Sequence, residues 1–187
     1  MEPEKFNKFH LIEVNLISAQ ELKKVGMGTK MQTYAVTWID PESKLTSRID
    51  TIGHENPTWN DKFVFAINGE TLGNMNSALV IEIYCVRYFC MDKLVGTVRI
   101  LLDNLIGGSN RYYEGIRGTF MAFQVRRPSG EPQGILNIGV IILDGVSHKV
   151  MNEIVGLKSP IGYRELMGRT NDVAKKGGCF PKIVQDL

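Results

Sequence analysis

Two of the three cysteines and two of the three histidines are the candidates for covalent chemistry. Cys85 and Cys90 are possible nucleophiles, and His10 or His54 could act as a base for either one. Nothing in the sequence places a cysteine beside a histidine. The sequence also lacks the Gly-x-Ser-x-Gly nucleophile elbow of α/β-hydrolases. One isolated cysteine pair is also weak support for zinc. The sequence therefore predicts no catalytic residue, no cofactor and a protein that is not an enzyme.

A second group of candidate functional residues, basic and apolar, lies between two apolar runs in the stretch VIEIYCVRYFCMDKLVG at 80–96. Its middle carries Arg87, Tyr88, Phe89, Met91 and Lys93, against the single aspartate at 92. Basic side chains are attracted to anionic lipid headgroups, and aromatic rings are favoured at membrane interfaces. Whether these residues act together depends on the elements that carry them.

Alternation of apolar residues with period two predicts those elements. Ile12, Val14 and Leu16 share one face of a first strand, and Tyr34, Val36 and Trp38 are expected to form the core face of a second. Similar runs recur at 45–49, 63–67, 79–83, 98–102, 121–125 and 136–142. Turn signals such as Asn56-Pro57 and Asn68-Gly69 separate them. The pattern predicts an all-β, eight-stranded antiparallel sandwich over residues 6–144.

Residues 145–187 have a different pattern of apolar residues from the sandwich. Val146, Val150, Ile154 and Leu157 recur at helical spacing and predict an amphipathic helix around 146–157, which Pro160 ends. Two interpretations remain open. This tail is either a helix docked on the sandwich with a loose end, or an appendage that binds a partner or a membrane.

Composition limits the classes of partner and compartment. The net charge of +2 does not indicate a nucleic-acid-binding protein. Three cysteines form an odd, sparse set that suits a reducing compartment, and the charged start shows no secretory signal. The expected location is cytoplasmic, with possible peripheral association at the plasma membrane.

A turn at 54–65 carries a family resemblance. The run His54-Glu55-Asn56-Pro57-Thr58-Trp59-Asn60-Asp61-Lys62-Phe63 resembles the turn-and-strand hallmark of C2 domains. Leu94-Val95-Gly96-Thr97-Val98 resembles the strand that follows their third top loop. The segments 124–130 and 134–140 resemble the closing hairpin of small plant C2 proteins of the cold-regulated and copine-associated kind. The resemblance covers about residues 8–143 and implies stress or defence signalling. Asn56, Pro57 and Trp59 are expected to shape the fold rather than to form a site.

The resemblance also implies where calcium would bind. C2 domains that bind calcium supply five aspartates from two loops, and calcium requires six to eight oxygen ligands. The matching positions here hold no acid: they are Gly26, Gln32, Cys85, Arg87 and Lys93. We therefore expect no metal and no calcium at these loops.

Basic and apolar residues around the same opening predict a contact surface instead. The expected membrane or partner contacts are Lys23, Lys24, Met27, Lys30, Met31, Arg87, Tyr88, Phe89, Met91 and Lys93. Arg48, Arg126 and Arg127 are expected to add a second basic zone on a sheet face. In the alternative interpretation, Phe89 and the methionines fold back over the core and the lysines are simply solvated.

Two binding roles follow, and the sequence leaves both open. The domain is either a calcium-independent module for acidic phospholipid surfaces, or an adaptor for a protein partner with no membrane affinity.

Overall fold

The computed structural model describes residues 10–25, 30–67, 71, 74–106, 116–143 and 161–162. Most of them lie in antiparallel strands. The strands are β1 (His10–Gln20), β2 (Thr33–Trp38), β3 (Leu45–Thr46), β4 (Thr58–Ile67), β5 (Ala78–Cys85), β6 (Lys93–Leu101), β7 (Ile116–Arg126), β8 (Pro132–Leu143) and β9 (Ile161–Gly162). A short helix, α1 (Leu102–Ile106), follows β6 directly.

The strands form two layers that face one another. Their hydrogen-bonded order is β3-β2-β5-β6-β7-β8-β1-β4-β9, and β6 and β7 are joined through the Thr97–Arg126 pair. This short link lets the two halves of the order fold over each other, and buried side chains from both halves form one cluster. The prediction of an eight-stranded antiparallel sandwich is confirmed, and β9 adds a two-residue pairing at the β4 edge.

Alternation determines which side chains enter the core. Ile12, Val14 and Leu16 of β1 are almost fully buried, and Ile81 and Ile83 of β5 lie in the same cluster. Burying one such aliphatic side chain stabilises the fold by roughly 1.5–3 kcal/mol. Burial of the apolar side chains that alternate along these strands is therefore the main source of stability of the sandwich.

Strand β2 reverses the predicted orientation. Its buried face carries Thr33, Ala35 and Thr37, whereas Tyr34 and Val36 are partly exposed. Tyr34 stacks on Tyr84 of the neighbouring strand, with ring centroids 5.6 Å apart. The prediction for this strand was wrong because its larger apolar groups pack on the outer surface, while the small Ala35 faces the core.

Strand direction gathers four connections at one end of the sandwich. Neighbouring strands from β1 to β8 are all antiparallel, so β1, β3, β5 and β7 finish where β2, β4, β6 and β8 begin. We call this region the loop end; its described connections are 21–25 and 30–32, 47–57, 86–92 and 127–131.

Beyond residue 144, the description is limited to β9. Phe63 pairs with Gly162 and Val64 with Ile161, so the sheet includes two residues outside the predicted 6–144 range. The predicted helix at 146–157 lies outside the described residues. Within the described part of the chain, no helix is long and apolar enough to cross a membrane.

Candidate functional site at the loop end

The loop end is rich in basic residues. Eight basic residues and five acidic residues lie in its described connections and the strand ends beside them. The basic ones are Lys23, Lys24, Lys30, Arg48, Arg87, Lys93, Arg126 and Arg127; the acidic ones are Glu21, Asp50, Glu55, Asp92 and Glu131. At the opposite end, the described connections 39–44, 74–77 and 102–106 carry three acids and one lysine. Even when Asp61, the ion-pair partner of Arg48, is added to the acids, basic residues exceed acidic ones at the loop end, whereas the described connections at the opposite end carry an acidic excess.

Arg126 and Arg127, expected in a second basic zone on a sheet face, lie beside the other basic residues at the loop end. Both lie where β7 turns into β8, so the antiparallel order puts them at the loop end. Arg127 forms a 2.8 Å ion pair with Glu131, and Arg126 donates to the Gly130 carbonyl at 3.3 Å. Local sequence could not reveal this placement, because it depends on strand direction.

Arg48 ties the connection that follows β3 to strand β4. Its Nε lies 3.0 Å from Oδ1 of Asp61, its main-chain N–H donates to Oδ2 at 2.6 Å, and Nη2 donates to the Trp59 carbonyl at 2.8 Å. Because the nearby carboxylate compensates part of its charge, Arg48 has a structural role, and its part in a second basic zone remains a prediction.

Apolar side chains project from the same end. Tyr88, Phe89 and Met91 are 79%, 102% and 90% exposed, so in the structure these three do not fold back over the core. A group of exposed apolar residues at one loop is unusual for a surface that meets only water. Their contact with a membrane or a partner remains a prediction.

Met31 was expected in this contact surface, and that expectation was wrong. Its side chain is 1% exposed and belongs to the central core cluster. Its main-chain N–H donates to Nδ1 of His54 at 3.1 Å. Met31 lies two residues before β2, where its flexible thioether fills space between the two layers. The neighbouring Met27 lies outside the described residues.

Ile52 is a loop-end residue that the sequence analysis missed. It is 83% exposed and lies in the turn before β4. Oδ1 of Asp50 accepts the main-chain N–H groups of Ile52 and Gly53, which fixes this turn. An isolated isoleucine inside a turn-rich segment was the available signal.

The turn around Asn56 and Pro57 connects three elements. Oδ1 of Asn56 accepts the Glu21 N–H at 3.0 Å, and the Pro57 carbonyl accepts the Ala19 N–H at 2.9 Å. The buried Trp59 donates its indole N–H to the Thr33 carbonyl at 3.1 Å. These contacts are all within the fold, in line with a structural role for the motif.

The described cysteine and histidine side chains do not form a catalytic pair. The Cys85 thiol donates to the Val25 carbonyl at 3.6 Å, and burial raises the pKa of this thiol. A raised pKa disfavours the thiolate that nucleophilic catalysis needs. His54 uses its Nδ1 to accept the Met31 N–H. Cys90 is exposed, and the side chain of His10 is not described.

A family model connects this geometry to known proteins. The sequence-family model of the C2 domain matches residues 10–114 of this chain. The chain belongs to the C2 domain family.

Among curated relatives, this C2 protein is similar to two plant proteins. It is 30% identical over 142 residues to BON1-associated protein 2 of Arabidopsis thaliana, covering 74% of this chain and 64% of the relative. It is 29% identical over 137 residues to Protein SRC2 of Glycine max, covering 70% of this chain and 45% of the relative. The chain therefore spans about half to two thirds of these relatives' lengths.

Solved structures share the fold. A C2 domain of plant Extended Synaptotagmin 1 matches with a TM-score of 0.56 at 14% identity, covering 73% of this chain and 96% of that domain. A structure of two C2 domains of Extended-Synaptotagmin 2 matches with a TM-score of 0.59 at 16% identity, covering 84% of this chain and 51% of that one. At these identities the likeness shows the C2 fold alone.

The sequence analysis expects no calcium at Gly26, Gln32, Cys85, Arg87 and Lys93, and the structure describes four of these positions. Cys85 bonds a carbonyl, Gln32 accepts the Tyr88 hydroxyl at 3.2 Å, and Arg87 and Lys93 are cations. Gly26 lies outside the described residues, within which no cluster of three or more acidic, histidine or cysteine side chains could hold a metal. Calcium prefers a shell of six to eight oxygen ligands, and the absence of calcium at these loops remains a prediction.

Proposed function

We propose that this C2 domain binds acidic phospholipid surfaces through its loop end without calcium and without catalysis. The main supporting observation is the coincidence of two features at one end of the sandwich. The excess of basic residues lies beside the fully exposed Phe89 and its neighbours Tyr88 and Met91.

Electrostatic attraction and shallow insertion would act together in this proposal. A basic residue near an anionic membrane contributes about 1 kcal/mol, and burying an aromatic or methionine side chain contributes roughly 1.5–3 kcal/mol. Lys23, Lys24 and Lys30 lie in the connection that follows β1, and Arg87 and Lys93 flank the exposed loop. Several such terms suffice for reversible binding, and salt should weaken the electrostatic part.

Cytoplasmic location with reversible visits to the plasma membrane belongs to the same proposal. The inner leaflet of that membrane carries anionic lipids, which suit a positively charged loop end. A role in stress or defence signalling is supported by similarity to the plant relatives, and extends to this chain only as part of the proposal.

A protein adaptor is the second candidate function. Phe120 of β7 is exposed on the outer surface of its sheet, where it offers an apolar contact away from the β5–β6 loop. The name of the Arabidopsis relative, BON1-associated protein 2, also records an association with another protein. In this alternative the domain binds a protein and has no affinity for membranes.

Liposome co-sedimentation separates the two candidates. The protein is mixed with phosphatidylcholine vesicles with or without phosphatidylserine, at low and high salt, in the presence of a chelator. We expect sedimentation only with phosphatidylserine, and a clear loss at high salt. Sedimentation that requires added calcium would contradict calcium independence, and no sedimentation under any condition would favour the adaptor.

Charge reversal with a matched control tests the loop end itself. Arg87→Glu with Lys93→Glu should abolish sedimentation, because it reverses two positive charges beside the exposed loop. Lys44→Glu with Arg99→Glu changes the net charge equally, but lies toward the opposite end, where Lys44 covers Trp38 and Arg99 donates to Asn76. Equal loss in both pairs would show that net charge, rather than the loop end, drives binding.

A further inference from the structure

The outer surface of β1 and β4 contains a patch that is buried. Leu11 and Val64 are 1% and 2% exposed, and Glu13 is 7% exposed. Their sequence neighbours Ile12 and Phe63 belong to the core cluster between the layers, whereas Leu11 and Val64 do not. Alternation therefore points these buried residues away from the core, toward the side of an antiparallel sheet that is commonly solvated.

Strand register joins these residues into one continuous surface. Glu13 pairs with Val64 on one side and with Ile141 on the other, and Leu11 pairs with Ala66. The patch crosses β4, β1 and β8 in the half of the sheet farther from the loop end. The Glu13 carboxylate lies 3.0 Å from the Lys62 ammonium group, so the acid in the patch is ion-paired. A second apolar contact region thus exists outside the main core.

The path of the chain suggests what covers this patch. Strand β8 ends at Leu143, and β9 begins at Ile161 on the far side of β1 and β4. The 17 residues from 144 to 160 must pass three strand spacings, about 14 Å. The inner side of this sheet is already filled by the opposite layer, so the outer surface and the end of the sheet are the remaining routes.

The length and pattern of the connecting segment match this surface. Val146, Val150, Ile154 and Leu157 form one apolar stripe at helical spacing. A helix over 146–157 would extend about 18 Å, enough to cross from β8 to the edge of β4. We propose that residues 146–157 form an amphipathic helix that packs its stripe on the outer surface of β8, β1 and β4, over Leu11 and Val64.

This proposal goes beyond the lipid-binding proposal and does not depend on it. It makes the segment after β8 an integral part of the domain, with β9 joining the β4 edge beyond the helix. The apolar stripe is then occupied within the chain, and is not a membrane anchor or a site for a partner.

Hydrogen exchange of the intact chain tests the proposal without any substitution. Backbone amides of 150–157 should exchange at least about a hundredfold more slowly than in an unstructured peptide, because a docked helix opens only through local unfolding. Exchange of these amides at unstructured rates would overturn the proposal.

Thiol labelling tests where the segment docks. A single reporter, Val64→Cys, is placed in a chain with Cys85→Ala, Cys90→Ser and Cys179→Ser, and its rate of labelling is measured in the native protein. Val150→Asp with Ile154→Asp should accelerate labelling by about tenfold or more, because it adds two charges to the stripe and favours local opening. His148→Asp with Asn152→Asp adds the same charge on the opposite face of the predicted helix, and should leave labelling slow.

The two readouts distinguish the outcomes. Slow exchange at 150–157 with unchanged labelling of the reporter thiol in the stripe variant would show a helix docked elsewhere, and would overturn the assigned surface. Thermal unfolding of each variant is followed in parallel, so that faster labelling is scored only in chains that retain a cooperative transition.

Discussion

Asp92 accepts two hydrogen bonds that fix the exposed loop to the sandwich. The Tyr34 hydroxyl donates to Oδ2 at 2.8 Å, and the main-chain N–H of Arg87 donates to Oδ1 at 2.9 Å. The acid in this loop is therefore used to hold the conformation of residues 87–92. It holds the loop in which Tyr88, Phe89 and Met91 are exposed at the surface.

Removing this carboxylate should loosen the loop and weaken the fold. We expect Asp92→Ala to lower the free energy of unfolding by about 1–3 kcal/mol, because it removes two hydrogen bonds to a charged acceptor. Tyr34→Phe removes one of the two and should cost less. Chemical denaturation measures both; equal stability of Asp92→Ala and the unmodified protein would contradict the assigned role.

The same tyrosine predicts sensitivity to alkaline pH. Burial, followed by the hydrogen bond to Asp92, raises the pKa of Tyr34 to about 12, and burial with the Glu82 bond raises the pKa of Tyr84 to about 12. An unfolded tyrosine has a pKa of about 10, so the folded state retains more protons between these values and stability falls as pH rises through that window. Unfolding free energies measured across this range should decline less steeply in Tyr34→Phe. An identical slope in both proteins would contradict this prediction.

Two methionines should separate stability from binding. Met31→Glu places a charge in the core, where this side chain is buried, and should reduce stability severely. Met91→Glu changes an exposed side chain, so it should leave the unfolding transition within about 0.5 kcal/mol while weakening vesicle binding. Thermal unfolding and liposome co-sedimentation of the pair provide the check. A destabilised Met91→Glu chain would argue that this loop packs on the core.

Two glycines provide a matched test of the turn before β4. A Cβ at Gly53 would lie 2.5 Å from the Asn56 carbonyl oxygen and 2.6 Å from Cα of Pro57, both main-chain atoms. Gly53→Ala should therefore cost about 1–3 kcal/mol of stability, since the backbone must shift. At Gly118 the nearest atom to an added Cβ is Cγ1 of Ile141 at 3.6 Å, so Gly118→Ala should be tolerated. Similar midpoints in denaturant for the two variants would show that the turn adapts without cost.

The sequence by itself determined the class of fold and the residue types that the loops carry. Period-two apolar runs such as Ile12-Val14-Leu16 predict strands because alternation is a local property of the chain. The family resemblance identifies the loop positions to examine. The sequence then shows that Gln32, Cys85, Arg87 and Lys93 at these positions are not acidic.

The tertiary structure decided which residues meet. It turned β2 so that Ala35 rather than Tyr34 faces the core, buried Met31 while exposing Ile52, and brought Arg126 to the loop end. These outcomes depend on strand direction, on cross-strand neighbours and on the space between two layers. A linear sequence does not specify these non-local relations by residue spacing alone, because residues far apart in the chain compete for the same buried volume.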